Sequence, residues 1–156
     1  LGKYHFDGHR ACGVFLSPAE SARLSGICPA CGGRLTAGVQ ARVEEMADRD
    51  AGHPRPTGQA HYKAVPLMDL LAASMGHSSA GKREAETYRR MVAGLGPELR
   101  ILLESPIEEI MLHAGKCVAD AVEAMREGTL PVSPGGDGAY GKARPPGAPA
   151  GPARKR

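Results

Sequence analysis

The sequence contains no tryptophan, two phenylalanines and four tyrosines in 156 residues, so aromatic side chains make up only 4% of it. A core built by this chain must therefore come from Leu, Val, Met and Ala. No apolar run approaches the roughly 18 residues of a membrane-spanning helix. No charged stretch followed by an apolar one marks a secretory leader. A Walker-type phosphate loop is missing as well, because Gly81-Lys82 follows Ser78-Ser79-Ala80 without the GxxxxGK[ST] spacing. No internal repeat argues for a solenoid. A charge excess is also absent where it would matter. The net charge is +3, but five basic residues and no acid fall in the tail from Lys142 to Arg156. Residues 1–141 hold 15 basic and 17 acidic side chains, a net of −2, so bulk electrostatics gives no general argument for nucleic acid. The first 34 residues differ locally, with Lys3, Arg10, Arg23 and Arg34 against Asp7 and Glu20.

Three of the four cysteines sit in that same opening stretch. His9-x-x-Cys12 and Cys28-x-x-Cys31 form two pairs separated by fifteen residues. A two-residue gap lets a tight turn aim two side chains at one point, and four such ligands close the tetrahedron that a structural Zn²⁺ requires. With no leader sequence, the chain is expected in the cytoplasm with reduced thiols, where Cys-x-x-Cys favours a metal over a disulfide. No thioredoxin-like βαβ pattern surrounds the pair to suggest redox chemistry. His5 competes with His9 for the fourth position, and Asp7 is a more distant candidate; His9 is preferred because its gap to Cys12 mirrors the second pair. Four protein ligands leave no open position for catalysis, so the expected cofactor is a structural zinc held by His9, Cys12, Cys28 and Cys31. Cys117 lies in a helical pattern and reads as a small buried hydrophobe. His53, His61, His77 and His113 read as surface histidines.

The periodicity predicts an α+β chain: a small zinc ribbon or knuckle with short strands, then a mainly helical domain, then a disordered C-terminal tail. Ser17-Pro18-Ala19-Glu20 is a capping box with proline at the first helical position, and Gly26 ends that helix. Leu35-Thr36 reads as a brief strand. A helix over 39–49 carries Val39, Val43, Met46 and Ala47 on one face. The zinc module and this helix occupy 1–50, and the run DAGHPRPTGQ opens a linker over 51–64. Helices are expected over 65–75, 82–95 and 97–104. Ser105-Pro106-Ile107-Glu108 then reads as a second capping box, opening the longest helix over 105–127 with Ile107, Ile110, Met111, Ala114, Val118, Ala121, Val122 and Met125 as its apolar stripe. A strand follows near 129–133, and PGGDGAYG forms a turn that closes a helical domain over 65–141. The basic, proline- and glycine-rich stretch 142–156 has the composition of disorder.

The segments GKYHFDGHRACGV and CPACGGRLTAGVQARVEEMADR, followed in order by AVPLMDLL, LLESPIEEI and PGGDGAYG, resemble the endonuclease Q family of PHP-domain DNA repair endonucleases over about residues 2–141. The resemblance implies a protein that incises DNA on the 5′ side of deaminated bases. It further implies that this chain, which begins at Leu1 rather than Met, is the C-terminal zinc-binding and helical part without the catalytic PHP domain. Such a chain is expected to bind DNA containing deaminated bases, to depend on a PHP nuclease domain in cis or in trans, and to have no catalytic residues and no activity alone. Gln40, Ala41 and Gly136 depart from the family pattern, which carries an apolar residue, a histidine and an aromatic there. Lys3, Arg10, Arg34 and Arg42 are the candidates for phosphate contacts. Tyr4, Phe6 and Phe15 could stack on bases, although Phe6 and Phe15 suit the core of a small module better, and Arg42 and Arg49 suit a solvated helix face equally well. Two other classes compete: a zinc-ribbon scaffold for protein–protein contact, and a helicase accessory module.

Overall fold

A computed structural model describes residues 2–49 and 61–149, and the chain divides into two compact units. The first is formed by residues up to Ala60 together with Val132–Lys142, and the second by His61–Pro131 with the residues from Ala143 onward. The turn PGGDGAYG thus belongs with the opening stretch, not with the helices that precede it in sequence.

In the first unit, strands β1 (Asp7–His9) and β2 (Val14–Leu16) pair antiparallel, with Gly8 opposite Phe15, around a 3₁₀ turn at Arg10–Cys12. Helix α1, Pro18–Arg23, starts as its sequence dictates. The Glu20 amide donates to Ser17 Oγ at 3.4 Å, and the Ser17 amide donates to Glu20 Oε2 at 2.8 Å, so two otherwise orphaned donors are satisfied reciprocally. The expected strand at Leu35-Thr36 is a single bridge, in which Thr36 and Gly8 exchange amide–carbonyl bonds of 2.8 and 2.9 Å. Helix α2, Val39–Met46, is capped by backbone rather than side chains. The Val39 and Gln40 amides donate to the carbonyls of Tyr4 and His5 at 2.7 and 3.0 Å. Gly38 is required at that junction, because a Cβ there would overlap the Phe6 carbonyl carbon. Strand β3, Val132–Ser133, pairs with β4, Lys142–Ala143, beyond the PGGDGAYG turn.

The second unit contains helices α3 (Leu67–Ser74), α4 (Lys82–Leu95), α5 (Glu98–Leu103), α6 (Ile107–Ala114) and α7 (Lys116–Arg126). Its core is Leu67, Leu70, Leu71, Met91, Ile101, Leu102, Ile110, Val118 and Val122, all essentially inaccessible. Burying such side chains contributes roughly 1.5–3 kcal/mol each. Polar groups tie the helix ends together. Glu98 accepts from the Leu67 amide at 2.8 Å and from the Tyr88 hydroxyl at 2.9 Å, joining α3, α4 and α5. Arg126 donates to the carbonyls of Ile101, Leu102 and Ser105, each at 2.8 Å, satisfying the C-terminal end of α5.

Three expectations need correction. The single long helix over 105–127 is two helices, because Gly115 sits at φ 86° and ψ 166°, a conformation all but restricted to glycine. Ser105 does not cap α6. Pro106 holds the cap position, and the Ser105 hydroxyl donates back to the Arg100 carbonyl at 3.4 Å. Cys117, expected to be buried, is half-buried, its thiol directed at the Ser74 carbonyl at 3.4 Å. The Val39, Val43 and Met46 face of α2 is exposed, at 61, 53 and 69%. Of the expected linker only 61–64 are described, and His53 lies outside the described residues. Of the expected tail, Lys142–Ala143 form β4, and 150–156 lie outside the described residues. No helix among the described residues is long and apolar enough to cross a membrane.

Candidate metal centre and the surface around it

His9 ends β1, Cys12 ends the 3₁₀ turn, and Cys28 and Cys31 flank a knuckle whose backbone the sequence makes possible. The Cys28 amide donates to the Gly33 carbonyl at 2.7 Å, and the Gly32 amide donates to the Cys28 carbonyl at 2.9 Å. Gly32 has φ 72°, the left-handed turn that a glycine adopts without cost. As a result the ligand atoms of His9, Cys12, Cys28 and Cys31 all lie within 4.8 Å of one another. It is the one group of His, Cys, Asp and Glu side chains among the described residues that can hold a metal ion. His9 presents Nδ1, 3.2 Å from Cys31 Sγ. His5 is not part of the group; its ring stacks on Phe6 at 5.1 Å between centroids.

The donor set fits a tetrahedral divalent ion. Metal–sulfur bonds of about 2.3 Å place tetrahedral sulfurs about 3.8 Å apart, within the spread found here. The electrostatics agrees. The hydrogen bond to Cys31 is the largest influence on the Cys12 thiol, which is pushed up to about 11. Burial pushes the Cys28 thiol up, but the Ala30 and Cys31 amides and His9 outweigh it and bring it down to about 7. The Cys28 thiolate is therefore easily formed, while Cys12 holds its proton until a cation takes its place. In this unit Cys28 is also the only buried hydrophobic side chain among the described residues, so there is no apolar core to replace what an ion would supply.

The turn at Gly135–Gly141 closes over the residues flanking β1, the strand that ends in His9. Asp137 accepts the Arg10 amide at 2.6 Å and the Thr36 hydroxyl at 2.8 Å, and the Arg10 amide is the main cause of its lowered carboxyl pKa. The Phe6 amide donates to the Gly135 carbonyl at 2.9 Å, and the Gly138 amide to the Lys3 carbonyl at 3.0 Å. Gly136 is buried against Phe15, and a Cβ there would stand 2.7 Å from the Phe15 ring, which occupies the space an aromatic at 136 would need. Lys3, Arg10, Arg34 and Arg42 are all exposed on this unit. Arg42 is paired with Glu45 at 2.8 Å; the other three make no ion pair among the described residues. Sequence reasoning missed Asp137 and Gly38. An Asp-Gly step within a glycine-rich turn was the available signal, but nothing in a linear pattern says which distant strand such a turn closes.

Comparison with known proteins agrees with this geometry. Residues 66–129 match the family model described as the MJ0043 C-terminal domain. The uncharacterized protein MJ0043 of Methanocaldococcus jannaschii is 31% identical over 144 residues, which cover 91% of this chain and 18% of that protein. The uncharacterized protein YqxK of Bacillus subtilis is 29% identical over 147 residues, covering 93% of this chain and 33% of YqxK. The lesion-specific endonuclease PfuEndoQ of Pyrococcus furiosus superposes with a TM-score of 0.77 and 32% identity, over 94% of this chain and 36% of its own. Endonuclease Q in complex with a 27-mer duplex carrying an abasic lesion at its active site gives the same TM-score and 34% identity, again over 94% and 36%. The chain is thus similar to endonuclease Q in both sequence and fold over 94% of its length. It spans about a fifth to about a third of the length of these relatives.

Proposed function

We propose that this chain is the DNA-engaging portion of an endonuclease Q-like protein that incises DNA 5′ of deaminated bases, and that His9, Cys12, Cys28 and Cys31 hold a structural zinc that organises the DNA-facing unit. The observation that carries the reading is the likeness over 94% of the chain to an endonuclease Q captured on duplex DNA. The three-sulfur, one-nitrogen donor set favours zinc. Lys3, Arg10 and Arg34, exposed around the centre, are the proposed phosphate contacts, with Arg42 available once it leaves Glu45. Strand cleavage is assigned to a PHP phosphoesterase domain acting in cis or in trans, so the chain alone binds and does not cut.

Gel shift of the zinc-loaded chain tests this, using uracil- or hypoxanthine-containing duplex against the undamaged duplex. Tighter binding to the deaminated DNA is the expected result; equal affinity for all three would remove lesion reading from the proposal. A second reading, a scaffold for a protein partner, draws on the exposed Val39, Val43 and Met46 face of α2. It predicts partner capture that persists after nuclease treatment.

A further inference from the structure

The PGGDGAYG turn brings Tyr140 to the same surface as the opening residues. Lys3 Nζ stands 4.9 Å from the centre of the Tyr140 ring, a cation–π distance. Arg10 Nη1 and the Tyr4 hydroxyl both close on Gly138, each 3.7 Å from where a Cβ at that glycine would stand. Tyr4 is 51% exposed and Tyr140 67% exposed, so both side chains face solvent. Lys3 and Arg10 make no ion pair among the described residues. The neighbouring acid, Asp137, is occupied by the Arg10 amide and the Thr36 hydroxyl. The backbone beneath is held firmly, since Gly138 and Val39 donate to the carbonyls of Lys3 and Tyr4 at 3.0 and 2.7 Å. Two exposed aromatic rings interleaved with two cations that no carboxylate among the described residues neutralises, on a pinned backbone, are what an unpaired nucleic-acid strand requires: faces for bases and charges for phosphates.

We infer that Tyr4, Tyr140, Lys3 and Arg10 form a platform for an unstacked DNA strand, the tyrosines stacking on bases and the two cations holding phosphates. The inference rests on the DNA-binding reading above and deepens it, assigning the contact with unpaired bases to a turn more than a hundred residues from the metal ligands in sequence. It adds Tyr140, which no charge pattern identifies.

The test is fluorescence anisotropy with the full zinc-loaded chain, a short labelled single strand, and the same strand in an intact duplex. Tyr140→Ala and Tyr4→Ala are each expected to weaken single-strand binding about 5- to 150-fold, the range of one lost base–aromatic stack, while duplex binding changes little. Tyr140→Phe should keep the affinity of the unsubstituted chain. Arg10→Ala should weaken both DNAs and lower the salt slope by about one. Metal content measured on each variant separates lost contact from lost fold. Tyrosine variants that retain their zinc and bind the single strand normally would overturn the platform alone, as would an equal loss on the intact duplex. Failure of the unsubstituted chain to bind any DNA would overturn the platform together with the reading beneath it.

Discussion

Cys28 is buried while Cys12 and Cys31 are exposed, so the proposed metal ligands are not equivalent. Cys28 occupies the place that a leucine or valine would hold in a larger module. Substituting Cys28→Ser keeps the size but removes the soft donor, and His9→Ala removes the nitrogen. Each is expected to abolish zinc retention, and with it an apparent folding contribution on the order of 10 kcal/mol. The checks are metal content after gel filtration and loss of protection from proteolysis over residues 2–49. A variant that loses its zinc yet stays protected would show that the first unit folds on backbone hydrogen bonds alone. This centre was legible in the sequence because ligand spacing is a local property. His9 was separable from His5 only by symmetry of spacing, and the structure gives the physical reason: His5 is turned away to stack on Phe6.

Among the elements, helices α6 and α7 show where local pattern misleads. The apolar stripe runs without a gap from Ile107 to Met125, and periodicity alone reads it as continuous. The break comes from backbone conformation at Gly115, whose surroundings are otherwise open, with nothing within 4 Å of a Cβ. Gly115→Ala should therefore cost about 1–3 kcal/mol from backbone strain alone, measured as a lower urea midpoint. A neutral or stabilising outcome would mean that the two helices can fuse. The α3–α4 connection offers a pH test. Glu84, buried at the start of α4, is hydrogen-bonded to His77 Nδ1 and accepts the Gly81 amide at 2.7 Å. The bond to His77, then the amide bonds, hold its carboxyl down at about 2, against an ordinary value of 4.5. A carboxyl lowered on folding stabilises fully above its unfolded value, and that stability is lost as pH falls through the folded one. The urea midpoint should accordingly drop between about pH 4.5 and 2. Glu84→Gln should flatten that acid limb and lower stability at neutral pH; an unchanged limb would assign the acid sensitivity elsewhere.

At the scale of the whole molecule, the two units are stabilised by different means. The second has an aliphatic core legible from helical periodicity, as the bounds of α4 illustrate. The first has almost no apolar core among its described residues; carbonyl caps and a returning turn hold it, and the clustered His9, Cys12, Cys28 and Cys31 are its proposed metal ligands. Its composition gave the ligands but not the return of Val132–Lys142, because long-range closure by Asp137 leaves no periodic trace. The exposed face of α2 was invisible for a related reason: an amphipathic pattern says that a face is apolar, not that anything covers it. The likeness to endonuclease Q was legible through its ordered motifs, and under the proposed function the geometry adds why a zinc module would matter to DNA: its folding would set the positions of Lys3 and Arg10. The most direct test is therefore anisotropy with hypoxanthine-containing DNA, titrated at several salt concentrations before and after zinc removal by a chelator. Binding should weaken with salt, be lost with the metal, and return when zinc is restored. Affinity unchanged by complete zinc removal would contradict that dependence.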